Sequence, residues 1–270
     1  QRPGSEPGNW EKNTSNMGNF TRILCATMVV ASISGGETAA ASTLPKTARY
    51  TFFLRGERVG QSEVRITESA DVLRMETKFR VANGQSVTEL STRTEADPRT
   101  YALRTFSYRG TKGGTPVAMS ATLDGDSVFG WTQRGDTKTA QRREVTPRPM
   151  VIWEDWAMDL EILLALQQAR EFKNPSTRGL LLAGSYSSSN VTLGFTGEVA
   201  VESGTRSGTG RKLMVAIQGG DPFESRIDLE KGVPMYIRFP GVGAEIFWDE
   251  FFGENPVPQY TTPRATPTGQ

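Results

Sequence analysis

Apolar and polar residues alternate along most of the chain with a period of two. In "RMETKFRV", Met75, Thr77, Phe79 and Val81 fall on one face, and Arg74, Glu76, Lys78 and Arg80 on the other. That is the signature of an antiparallel strand with one face buried and one in water. The pattern recurs in Val117, Met119, Ala121 and Leu123, in Val191, Leu193 and Phe195, in Leu213, Val215 and Ile217, and in Ile227 and Leu229 against Arg226, Asp228 and Glu230. Turn formers separate the runs: "ANGQ" at Ala82, "ADPR" at Ala96, "DGD" at Asp124, "RGD" at Arg134, "QGGDP" at Gln218 and "EKGV" at Glu230. Connections this short predict a meander. "RGD" follows Phe129 and Trp131 and reads as a polar hairpin turn rather than an adhesion tripeptide. "YTFFLRGERVGQSEVRI", Tyr50 to Ile66, reads as a hairpin in which Gly56 and Gly60 bracket "ERV" and supply positive φ near the turn.

One segment departs from this period. In "MVIWEDWAMDLEILLALQQAREFKN", Met150 to Asn174, the residues Ile152, Trp153, Trp156, Leu160, Leu163 and Leu164 fall in one stripe at helical spacing. Glu154 and Asp155 near its start, and Arg170 and Lys173 near its end, match the helix dipole. Ile162 and Leu166 widen the apolar surface, so burial on more than one face is expected. The pattern therefore predicts a mainly β fold: antiparallel, strongly curved sheets, as a half-barrel or two β lobes, around one central amphipathic helix. The expected single domain covers residues 48–252, with a β section over 49–146, the helix over 150–173 and a second β section over 177–252. Residues 253–270 form a Pro- and Thr-rich tail, "GENPVPQYTTPRATPTGQ".

An aromatic strand followed by "GERVG" and the returning "SEVRI", carried by Tyr50, Phe53, Gly56, Val59 and Gly60, resembles the opening of a group of exported bacterial proteins of unknown function. The same opening occurs in domains that precede transglutaminase-like modules. The resemblance spans about residues 48–252 and implies an antiparallel, curved sheet broadly similar to the half-barrels of lipoprotein carriers. No residue role carries over from it.

The N-terminal segment adds an expected destination. From Met17 the chain reads "MGNFTRILCATMVVASISGGETAAAS", with Arg22, an apolar run from Ile23 to Ile33 and small residues at Ala39, Ala40 and Ala41. This is the layout of a secretory signal within an N-terminal extension over 1–41, and it predicts export to the periplasm or beyond. The apolar run is too short to span a bilayer, which takes ~20 residues, so no transmembrane span is expected in the mature chain.

Composition then removes several chemistries. The 270 residues hold no His and one Cys, and that Cys25 lies inside the expected signal. Thiol nucleophiles, Ser-His dyads, His bases and zinc sites of Cys or His are therefore excluded from the mature chain. Lys and Arg total 31 against 30 Asp and Glu, a balance that draws the protein to neither nucleic acid nor anionic lipid. No phosphate-cradling loop is present: "SGTRSGTG" at Ser203 lies between two strands rather than before a helix. No calcium-loop spacing occurs either, and no cofactor or metal is expected.

Three functions from different classes follow. The first is a non-catalytic exported binding or scaffold protein holding a lipid or other hydrophobic molecule in a curved-sheet pocket, with Trp153, Trp156 and Leu160 as candidate ligand-binding residues. The second is a cell-envelope module that contacts another protein through an open sheet edge. The third is a carboxylate-based hydrolase in which Asp155 and Asp159, neighbours at i and i+4 on a helix, divide acid and base roles. "WDE" at Trp248 supplies further acids at a strand end.

Overall fold

The computed structural model describes residues 44–170, 174–203, 206–228, 230–253 and 255–258. The expected signal from Met17 to Ala41, Lys173 and most of the C-terminal tail lie outside them. The described chain is mainly β. Eight strands come first: β1 (Thr47–Leu54), β2 (Glu57–Glu68), β3 (Leu73–Asn83), β4 (Ser86–Ala96), β5 (Leu103–Lys112), β6 (Thr115–Asp124), β7 (Ser127–Arg134) and β8 (Thr137–Glu144). A short strand β9 (Val151–Trp153) leads into helix α1 (Met158–Arg170). Then follow β10 (Ser176–Leu182), β11 (Ser187–Ser203), β12 (Arg206–Ile217), β13 (Phe223–Asp228), β14 (Val233–Phe239), β15 (Ala244–Trp248) and a single-turn helix α2 (Asp249–Phe252).

All fifteen strands belong to one sheet, in the order β8-β7-β6-β5-β4-β3-β2-β1-β15-β14-β13-β12-β11-β10-β9. The two β sections are thus one continuous sheet and not two lobes. They join where β1 pairs with β15, in a register that sets Tyr50 opposite Trp248 and Phe52 opposite Ile246. Every pairing is antiparallel except that of β9 with β10. The middle of the sequence supplies both sheet edges. β8 and β9 share no ladder, so the sheet is not closed, but Gly179 N donates to Pro147 O at 2.6 Å and Arg143 Nε to Tyr186 O at 3.1 Å, tying the two ends together.

Helix α1 explains the curvature. It packs against β2, β3 and β4 and also against β9 and β14, strands well separated in the sheet order, and only a sheet wrapped around the helix brings them to it. Every residue from Ala157 to Gln168 is buried, so the apolar stripe extends around the whole circumference. Its two buried glutamines are met internally: Gln167 Nε2 donates to Tyr101 O at 2.7 Å, and Gln168 Oε1 accepts from Ser176 Oγ at 2.7 Å and from Arg178 Nη2 at 3.2 Å. No helix among the described residues is long and apolar enough to cross a membrane.

Two local expectations are corrected. The helix begins at Met158 and not at Met150. Val151, Ile152 and Trp153, β-branched or aromatic, pair with Leu180, Leu181 and Leu182 as a strand, and Trp156 has φ +66°, a conformation no helix passes through. In the first hairpin the turn is Arg55-Gly56, both at positive φ (53° and 83°), as the two-residue type I′ turn requires. Gly60 already belongs to β2. It is required there by close approach, since a Cβ would lie 2.2 Å from Arg80 O on the neighbouring strand.

Candidate functional site

The segment that fails to be helix builds the site. β9 delivers Trp153, the turn at 154–157 holds Trp156 in its left-handed conformation, and the first turn of α1 presents Met158 and Glu161. Together with Leu54, Asn83, Asp155, Phe239, Val242, Ala244 and Ile246 they line a cavity of about 260 Å³. It lies where the ends of β1, β3 and β14 meet the start of the helix. A hydrogen bond from Arg55 N to Gly243 O at 2.7 Å joins the β1–β2 turn to the β14–β15 turn. Val242, in the latter, is 57% exposed at the mouth.

Two groups of rings hold the tryptophans. Trp153 lies 5.1 Å from Phe223 and 6.3 Å from Phe239 between ring centres, and Phe223 stacks on Phe239 at 4.5 Å. Trp156 tilts on Phe52 at 5.1 Å. Trp153 Nε1 donates to Asp155 Oδ1 at 3.2 Å, so the indole N–H is satisfied.

Glu161 is the unusual member. It is 7% exposed, it lines the cavity, and among the described residues no side chain or backbone N–H donates to its carboxylate. Burial alone pushes its carboxyl up to about 8, so it is largely protonated at neutral pH despite a place in the first helical turn that favours the anion. Burial first, and then the charges of Glu250 and Glu161, push the Tyr50 phenol well above its ordinary value.

The acid pair expected on one helix face is not formed. Asp155 lies before the helix and is exposed, whereas Asp159 is fully buried and accepts from Thr92 Oγ1 at 2.8 Å and Thr94 Oγ1 at 2.6 Å. Burial raises the Asp159 carboxyl, and hydroxyls of Thr94, Thr92 and Thr77 work against that shift. Leu160 is buried in the core and does not line the cavity. Trp153 and Trp156 do. The acids after Trp248 are anchored on β1: Asp249 accepts from Thr51 Oγ1 at 2.8 Å and Glu250 from Arg49 N at 3.3 Å.

Two further acids are buried: Glu161, and Glu154, which was expected to favour the helix start but lies in the turn before it. Glu154 is buried and ion-paired with Lys112; burial raises its carboxyl, while Lys112 opposes the rise. Glu161 went unnoticed although a signal existed: in "LEILLALQQ" the apolar positions leave no wet face, so any acid there must be buried. A larger open depression of about 990 Å³ on the charged face of β2–β5 is a ladder of exposed ion pairs, such as Arg49–Glu63 and Arg80–Glu89; the buried Ser62 hydroxyl in its lining has no partner among the described residues.

No protein-family model matches the chain. No curated protein sequence matches it. Among solved structures, the chain is similar to a DUF1089 family protein from Pseudomonas aeruginosa, with a TM-score of 0.38 and 15% identity over 67% of this chain and 90% of that one.

Proposed function

We propose that the protein is a non-catalytic, exported binding protein that holds a hydrophobic small molecule in the cavity at the start of α1. The carrying observation is the cavity itself: about 260 Å³ walled by Leu54, Trp153, Trp156, Met158, Phe239 and Ile246. A dry cavity of ~150 Å³ accommodates benzene, and drug-sized ligands occupy ~300–1,000 Å³. This cavity therefore suits one ring or two fused rings with short arms, or a short acyl tail. The φ of +66° at Trp156 supports the reading, because a bulky residue in that conformation costs ~1–3 kcal/mol and such strain clusters at ligand clamps. By contrast, the open edge at β8 carries Lys138, Arg142 and Arg143, charges of the kind that discourage strand addition.

The test uses Trp156→Gly, because glycine adopts positive φ without strain and offsets part of the lost packing. The neutral naphthalene probe prodan is expected to bind the full chain saturably at one site. The variant should bind at least tenfold more weakly while its melting temperature changes little. Equal binding by both proteins, or unsaturable uptake, rejects the cavity as the site. Export rests on Arg22, the run from Ile23 to Ile33 and Ala39 to Ala41. Expression from Met17 should give a mature N-terminus near Ser42, and an intact cytosolic product refutes it.

A further inference from the structure

The cavity has a chemical preference that hydrophobicity does not explain, and this inference rests on the binding reading above. An apolar ligand needs only apolar walls. Here the walls include Glu161, more than nine-tenths buried and without a donor among the described residues. A buried polar group left unpaired is costly and calls for a specific explanation; on the wall of a cavity, a bound ligand supplies one. The other titratable group in the lining, Asp155, has the same sign, and no Lys or Arg lines the cavity.

Each ligand class can be set against these groups. An anion would meet two acids and no cation. A neutral alcohol would leave the carboxyl with at most one new partner. A protonated amine supplies up to three N–H donors and the positive charge that the carboxylate lacks. It would also sit beside Trp153, Trp156 and Phe239, whose ring faces carry negative charge density and attract cations best when desolvated. From this combination we infer that the cavity recognises a small organic ammonium ion, an amine bearing a ring or short apolar arm, with Glu161 as its counter-ion and the two tryptophans and Phe239 as its walls.

The geometry has a measurable proton consequence. Free Glu161 holds its proton at pH 7, because burial pushes its carboxyl up to about 8. An ammonium ion beside it favours the carboxylate, so binding expels that proton. Asp155, exposed and hydrogen-bonded by Trp153, is the other carboxyl facing the ligand; Tyr50 on β1 is the phenol coupled to Glu161 and stays protonated throughout. Proton release near one per ligand is therefore assigned to Glu161.

Calorimetric titration of the full chain at pH 7 with three molecules of matched size tests the inference: 2-phenylethylamine, 2-phenylethanol and 3-phenylpropionate. The amine should bind at least tenfold more tightly than the alcohol, and the carboxylate more weakly than either. Titrations in buffers of different ionisation enthalpy should show nearly one proton released with the amine and none with the alcohol. Glu161→Gln should weaken amine binding at least tenfold and abolish the proton release while leaving alcohol binding intact, which also shows that the variant is folded. If the alcohol or the carboxylate binds as tightly as the amine, or if Glu161→Gln leaves the amine unaffected, the ammonium assignment is overturned while the hydrophobic cavity stands. If none of the three binds and prodan does not bind either, both readings fall.

Discussion

Glu161 makes the fold less stable than its shape alone would allow, and the effect has a direction in pH. Its carboxyl moves from an ordinary 4.5 to about 8 through burial, so the folded state keeps a proton that the unfolded chain releases. Its contribution to stability is whole below pH 4.5, declines as pH rises, and is gone above about pH 8. At ~1.4 kcal/mol per pH unit, the loss reaches about 3 kcal/mol at pH 7. Burial raises Asp159 and Glu154 in the same direction, so the wild-type curve alone does not isolate Glu161. The difference from Glu161→Gln does, since the amide has no proton to lose. Urea denaturation between pH 5 and 8 should show the variant gaining on the wild type steadily as pH rises. Parallel curves would mean that Glu161 reaches water in the folded state.

Within α1, adjacent residues divide between cavity and core. Leu160 is buried against the sheet, whereas Glu161 and Met158 line the cavity. Leu160→Ala should therefore cost ~2–5 kcal/mol through the void it leaves and leave prodan affinity at the wild-type level once the variant is folded. Loss of binding in step with Trp156→Gly would place Leu160 in the cavity wall after all. At this scale the sequence was uneven evidence. Strands were legible because Met75, Thr77, Phe79 and Val81 alternate with charges on a sheet that has one wet face. The start of the helix was not, because Ile152 and Trp153 match a helical stripe as well as they match a buried parallel strand, and only their pairing with Leu181 and Leu182 distinguishes the two. Of the three ligand candidates named from the sequence, Trp153 and Trp156 line the cavity and Leu160 does not. The partnership of Asp155 with Asp159 was not legible, because i and i+4 face together only if every residue between is helical, and Trp156 is not. The burial of Glu161 was legible only from the whole segment, because a carboxylate in a helix is ordinary until the apolar positions of "LEILLALQQ" are seen to leave no wet face; its lack of a donor was not legible at all.

Over the whole molecule, the chain's first and last strands meet in the interior of the sheet while its middle supplies both edges. The β1–β15 pairing joins residues about two hundred positions apart, such as Tyr50 and Trp248, so the sheet's continuity depends on a contact of high sequence separation that forms late and at an entropic cost. A domain of this size can unfold in parts, and β2–β5 and β11–β14 are each antiparallel meanders that are candidates for separate units. Helix α1 argues against separation. It packs on β2, β3 and β4 from one section and on β9 and β14 from the other, so releasing either section exposes the apolar circumference of the helix. The two meanders should therefore open together. Hydrogen exchange read by mass spectrometry through a denaturant series tests this: peptides from β3–β4 and from β12–β13 should lose protection at the same denaturant concentration, with the edge strand β8 left aside because edges fray. A cavity ligand should then raise both midpoints equally, since its walls come from β1, β14, β15 and α1, on both sides of the β1–β15 seam. If β12–β13 lose protection first and the ligand shifts only β3–β4, the helix belongs to the N-terminal section alone, and the seam at β1–β15 is a docking contact between two units.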